Sequence, residues 1–184
     1  MTLRSVTERR GTPLSESELL SQARRGIATA LAALYEAHAG ELLRIGARIT
    51  GNKSDAEDLL HDLFVGLPEL LGRYEHRARL DAWLRGIMIR MAIGRLRLDT
   101  RRAKANALEA HRSTAMRADP WSAMDLENAI AALPEGMRVV FVLRQIEGHS
   151  HDEIASLLGI SSGAARVRYT RALRQLRAFL EPRK

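Results

Sequence analysis

The sequence predicts an all-α protein of two small helical domains joined by a flexible linker. Apolar residues recur at three- and four-residue intervals almost throughout its 184 residues, and no segment alternates apolar and polar positions convincingly. Breaks fall at Gly51-Asn52, Leu133-Pro134 and Glu147-Gly148, where left-handed backbone or a missing N–H interrupts a helix. A hydrophobic content of 46% suffices for cores of this size.

Residues 1–24 are polar, carry Gly11 and Pro13, and read as a loose tail with a short helix from Ser17. Ile27, Leu31, Leu34 and Tyr35, then Leu42, Leu43, Ile45 and Ile49, read as the apolar stripes of two amphipathic helices. Ser54 is the expected N-cap of the next helix, with Glu57 completing a capping box, and its core residues run through Leu59, Leu60, Leu63, Phe64 and Leu67. A loop over residues 72–79 leads to a fourth helix over about 80–98, which places Trp83, Leu84, Ile87, Met91 and Leu98 on one stripe and arginines elsewhere. The first domain thus covers 25–98, residues 99–124 form the linker, and the second domain covers 125–184. In that domain Pro134 and Gly148 bracket one helix, and Ser150 with Glu153 forms the capping box of the next.

The segment 153–166, Glu-Ile-Ala-Ser-Leu-Leu-Gly-Ile-Ser-Ser-Gly-Ala-Ala-Arg, has the pattern of a helix-turn-helix. Ala155 is small where two helices cross closely, Gly159 can take the left-handed turn, and Ile154, Leu158 and Ile160 supply the shared core. At about 100° per residue the final helix puts Tyr169, Leu173, Leu176 and Leu180 on one arc and Arg166, Arg171, Arg174 and Arg177 on its neighbour. The apolar arc packs, and the basic arc can enter a major groove or grip phosphates.

A formal charge of +7 favours an anionic partner, and its distribution is more informative than its value. Residues 54–70 hold five acids and no lysine or arginine, whereas residues 85–104 hold seven basic residues against Asp99. The second domain repeats the contrast: six acids against Arg138 and Arg144 over 124–160, then seven basic residues against Glu181 over 161–184. Two surfaces are therefore suited to DNA and two acidic ones to a protein partner. The chain has no cysteine, which excludes thiolate zinc sites and a catalytic cysteine, and no run approaches a membrane span, so a cytoplasmic location without membrane insertion is expected.

Two other readings compete. Glu57, Asp58, His61 and Asp62 have helical spacing that could hold a divalent metal, and His149, His151, Asp152 and Glu153 form a second polar cluster. Both are explained more simply, by a partner-binding face and by acids favoured in a helix's first turn, and no nucleophile or phosphate loop accompanies them, so no cofactor is expected. The second alternative is a free-standing helix-turn-helix regulator, against which stands a first domain with its own basic helix beside an acidic one.

Taken together, Asp55-Ala56-Glu57-Asp58-Leu59-Leu60-His61-Asp62-Leu63-Phe64, Ala82-Trp83-Leu84-Arg85-Gly86-Ile87, Leu133-Pro134-Glu135 with Arg138 through Arg144, and the helix-turn-helix resemble an extracytoplasmic-function sigma factor of the sigma-70 family over about residues 25–180. The resemblance implies a non-enzymatic specificity subunit of bacterial core RNA polymerase. By position, Asp55, Asp58, His61, Asp62 and Val65 match the region that docks on the β′ clamp helices, with the β subunit a further contact. Tyr74, His76, Arg77, Arg79, Arg90, Arg95 and Arg97 match the region that recognises and opens the minus-10 element, where extruded bases need stacking and charge. Ser162, Ala164, Arg166, Arg168, Arg171 and Arg174 match the reader of the minus-35 element, and an anti-sigma partner is implied. His61 stands where the family usually has glutamine, and Arg90 and Gly94 where it usually has asparagine and aspartate. Ala164 and Ala165 replace threonine and valine, which shifts the reading helix toward backbone grip and thymine-methyl contact.

Overall fold

Nine α-helices, in two bundles, make up the described residues of the computed structural model, which are 15–75, 77–105 and 123–180. The first bundle holds α1 (Glu16–Arg24), α2 (Ala28–Thr50), α3 (Lys53–Val65), α4 (Leu67–Leu71) and α5 (Leu80–Ala105). The second holds α6 (Ala123–Ala131), α7 (Glu135–Phe141), α8 (His151–Leu158) and α9 (Ser162–Leu180).

The short helix expected from Ser17 is α1, which starts at Glu16 and belongs to the first core rather than to a loose tail. Its N-cap is Ser15, in a capping box with Glu18, and it buries Leu20 and Ala23. Arg24 ties it down by donating to the carbonyls of Leu71 and Tyr74, and residues 1–14 lie outside the described residues.

The expected pair of helices over 27–49 is one continuous helix, α2. No proline interrupts it, and Leu34, Leu42, Ile45 and Ile49 form a single buried stripe. Tyr35 and Ile27, read as part of that stripe, are exposed. The N-cap of α3 is Asn52, not Ser54, because the Asn52 side chain accepts from the Ser54 N–H and helical geometry begins at Lys53. The helix ends at Gly66, and Pro68 starts the separate short helix α4. Leu63, Leu67, Leu71, Leu84 and Met88 are fully buried in a core where α3 and α5 pack on α2 and α4 packs on α1 and α3. Leu98 is exposed, and α5 continues past it to Ala105, seven residues into the segment expected to be linker; residues 106–122 lie outside the described residues.

The second bundle follows the expected punctuation closely. Pro134 precedes α7, which runs on into a π-helical turn over Val142–Ile146 before the break at Gly148. The Ser150–Glu153 capping box opens α8, and Gly159 ends it at φ +66°. A Cβ at Gly159 would meet nothing within 4 Å, so a substitution there costs only backbone strain. Gly159→Ala is expected to lower stability by about 1–2 kcal/mol in denaturant melts, and an unchanged midpoint would contradict the left-handed geometry.

The capping box also carries a pH dependence. The backbone N–H of Ser150, with its hydroxyl second, holds the Glu153 carboxyl below the ordinary value. A depressed acid contributes stability that is present above its unfolded value and is lost as pH falls through the lower folded one. Wild type is therefore expected to melt above Glu153→Gln at pH 7, and the gap to close as the pH falls below the ordinary glutamate range.

Candidate functional site

One face of α3 concentrates exposed negative charge. Asp58, His61, Asp62 and Val65, at i, i+3, i+4 and i+7, are all exposed along it. Asp55, expected beside them, is instead turned toward α5, where its carboxylate accepts from Arg95 Nη2 at 2.7 Å. Beside the acidic face lies a groove of about 390 Å³ lined by Tyr35, Leu43, Leu60, Phe64 and Val65, with Glu57 and His61. The Tyr35 and Phe64 rings meet edge-on with centroids 4.9 Å apart, and Val65 is 67% exposed. An apolar slot flanked by carboxylates suits a partner helix that presents a large apolar side chain between cations.

Tyr74 is not available to stack on a base. It is buried, its hydroxyl donates to the Ala78 carbonyl at 2.6 Å, and its ring packs on Trp83 at 4.9 Å. Trp83 is correspondingly a core residue, as its place on the apolar stripe requires. Arg77 and Arg79 are exposed and pair locally with Glu75 and Asp81, and His76 lies outside the described residues. On α5, Arg90, Arg97 and Arg101 fall on one exposed stripe, spaced i, i+7 and i+11. Arg95 faces away from it, held by Asp55 and by Asp99, whose Oδ2 is 3.3 Å from its Nε.

The turn between α8 and α9 is closed by the Ser161 hydroxyl, which accepts from the Ala164 N–H at 3.1 Å. Ser162 and Ala164 are partly exposed at the start of α9, but Ala165 is fully buried, so only the first of the two alanines can meet DNA. Arg166, Arg171 and Arg174 are exposed and adjacent, as their angles require. Arg168 is half-buried and lies over Gly136 of α7, away from that arc. Tyr169 anchors the helix by donating to Gln145 at 2.7 Å and by stacking on Phe141.

Contacts that the sequence does not reveal join the two bundles. Arg138 is 8% exposed although, among the described residues, no carboxylate is bonded to its guanidinium, and burial lowers its pKa from the ordinary arginine value. Arg48 of α2 pairs with Glu127 of α6, and Arg97 donates to the Leu157 carbonyl of α8 at 2.6 Å. In the sequence Arg138 stands within the Leu133–Arg144 motif as a lone cation at the head of an apolar run, Val139-Val140-Phe141-Val142-Leu143. Among the described residues no three His, Asp or Glu side chains converge as metal ligands, and no helix is long and apolar enough to cross a membrane.

Comparison with known proteins gives this geometry a context. The family model for sigma-70 region 2 matches residues 34–102, and that for sigma-70 region 4 matches residues 123–176. The chain is 35% identical over 162 residues to the RNA polymerase sigma factor CarQ of Myxococcus xanthus, covering 85% of this chain and 92% of that one. It is 30% identical over 163 residues to the ECF RNA polymerase sigma factor SigL of Mycobacterium tuberculosis, covering 84% of this chain and 90% of the relative. The match to SigE of Mycolicibacterium smegmatis, 30% identical over 80% of this chain, spans 60% of that protein's length. Among solved structures, the sigma factor RpoE of Bartonella quintana, in complex with the anti-sigma factor NepR, aligns with a TM-score of 0.54 at 20% identity over 86% of this chain and 96% of that one, a likeness of fold. A free-standing helix-turn-helix regulator is not favoured, since the match includes the acidic and basic helices of the first bundle as well as the second. The chain belongs to the extracytoplasmic-function sigma factors of the sigma-70 family.

Proposed function

We propose that α3 docks this initiation factor on core RNA polymerase in the cytoplasm, while the basic stripe of α5 and the basic arc of α9 engage the minus-10 and minus-35 elements of a promoter. The observation that carries this division of labour is the separation of charge by helix. Asp58 and Asp62 repel DNA from one face, and Arg90, Arg97, Arg101, Arg166, Arg171 and Arg174 attract it to others. The β′ clamp helices are the proposed seat for the acidic face and its apolar groove. Arg77 and Arg79 precede α5 and are placed to hold the displaced backbone when bases leave the stack. Region boundaries follow the two bundles, with residues 106–122 between them. An anti-sigma factor is the proposed regulator, and the α3 groove offers it an apolar seat that excludes polymerase.

Run-off transcription from a genomic promoter library, with purified bacterial core polymerase with or without this chain, tests the reading. Specific transcripts are expected only when the chain is present. No transcripts, combined with tight salt-dependent binding of the chain alone to a palindromic duplex, would overturn it.

A further inference from the structure

We propose that Val167 selects thymine in the minus-35 element, by burying its branched side chain against the C5 methyl group of one base. The proposal deepens the reading of α9 as the helix that meets this element, and it rests on that reading.

Val167 lies in the second turn of α9 and is 49% exposed. At about 100° per residue it falls roughly 20° from Arg174 and about 40° from both Gly163 and Arg171 around the helix. It therefore stands inside the basic arc, not at its edge. A single exposed valine is ordinary on a protein surface; this one is set apart by the guanidinium-bearing residues around it.

Its neighbours leave it prominent. Gly163, one turn before it, is helical, and a Cβ there would meet only the Ser161 Oγ, at 3.9 Å. Helices favour alanine over glycine, so this missing side chain is not required by the fold and suits a body that approaches from outside. Ala164, at i−3, adds a partly exposed methyl group. The polar groups nearby are turned inward: the Thr170 hydroxyl donates to the Arg166 carbonyl at 3.0 Å, and Arg166 Nη2 reaches back to the Ser162 Oγ at 3.5 Å. The result is an apolar notch with cations beside it.

A helix-turn-helix presents the first turns of its second helix to base edges, while cations around them grip phosphates. Along the major groove those edges are lined with donors and acceptors, and the one apolar feature is the thymine methyl group. The Val167 side chain has no atom that can hydrogen-bond. Pressed on a guanine, cytosine or adenine edge, it would strip water from polar groups and offer them nothing in return. Contact favours thymine and desolvation rejects the others, so both halves of a specificity device are present in one side chain. Because a β-branched residue has one dominant rotamer in a helix, little side-chain freedom is lost on contact.

Deoxyuridine differs from thymidine only in lacking that methyl group, which makes it the probe. Holoenzyme assembled from core polymerase and the full chain would be titrated, by fluorescence anisotropy, against duplexes of a promoter taken from the transcription experiment. Each thymine of the minus-35 element, on either strand, would be replaced in turn. At least one replacement is expected to weaken binding about fourfold, as expected for roughly one methyl group returned to water. In Val167→Ser, an exposed substitution of similar helix propensity, the same replacement should cost nothing. Arg171→Ala should weaken binding to all duplexes alike and keep the deoxyuridine penalty, since a phosphate grip carries no sequence information. Wild-type holoenzyme indifferent to every replacement, or a penalty that persists undiminished in Val167→Ser, would overturn the role of Val167 alone. If exchanging the whole minus-35 element for unrelated sequence leaves binding unchanged, the reading of α9 itself fails and the assignment falls with it.

Discussion

Reversing two charges together, Asp58→Lys with Asp62→Lys, is expected to weaken assembly with core polymerase by about 100-fold. Close charge pairs across an interface couple by at least about 1.5 kcal/mol each, and two of them give roughly 3 kcal/mol, with tenfold in affinity for every 1.4 kcal/mol. Stability should barely move, since both carboxylates are exposed and the two lysines merely exchange one like-charge i,i+4 pair for another. Anisotropy of a labelled chain titrated with core enzyme measures the affinity. An unchanged dissociation constant would remove α3 from the proposed interface. Asp55→Lys is a poor substitute as a probe: it breaks the pair with Arg95 and mixes a folding defect with any binding defect.

The second large effect concerns DNA. Removing Arg166, Arg171 and Arg174 together by alanine substitution is expected to flatten the salt dependence of holoenzyme binding to a promoter duplex. Each lost phosphate contact lowers the slope of log affinity against log salt by about 0.9, so three lower it by about 2.7 and reduce affinity roughly 500-fold near 0.1 M salt. Arg168→Ala, by contrast, should leave the slope nearly unchanged, because that side chain lies over Gly136 rather than on the exposed arc. Equal effects of the single and triple variants would show that the arc does not face the duplex.

Local signals carried most of the architecture. Pro134, Gly148, the Ser150–Glu153 box and Gly159 each fix the backbone within a few residues, and the structure places their helix ends where those residues dictate. Errors arose where tertiary packing decides. Continuity of α2 through Gly40 depends on helices packed along its whole length, and the inclusion of α1 depends on Arg24 reaching carbonyls 47 and 50 residues away. The candidate sites divide in the same way. Exposure of Asp58, Asp62, Arg171 and Arg174 follows from helical angle alone. Burial of Tyr74 does not, because a loop has no period from which to read a facing side, and pairing of Asp55 with Arg95 needs the register of α3 against α5. Burial of Arg138 was not legible because charge is ordinarily an argument for the surface.

The strut between α3 and α5 also bears on how this chain can change over generations. Asp55 and Arg95 sit on helices with separate proposed duties, one toward protein and one toward nucleic acid, yet altering Arg95 strands Asp55, and altering Asp55 leaves Arg95 with Asp99 alone. Drift at one position is therefore expected to be answered at the other, and a survey of descendants should find the two sites varying as a couple while Asp58 and Arg90, exposed on the same helices, vary independently.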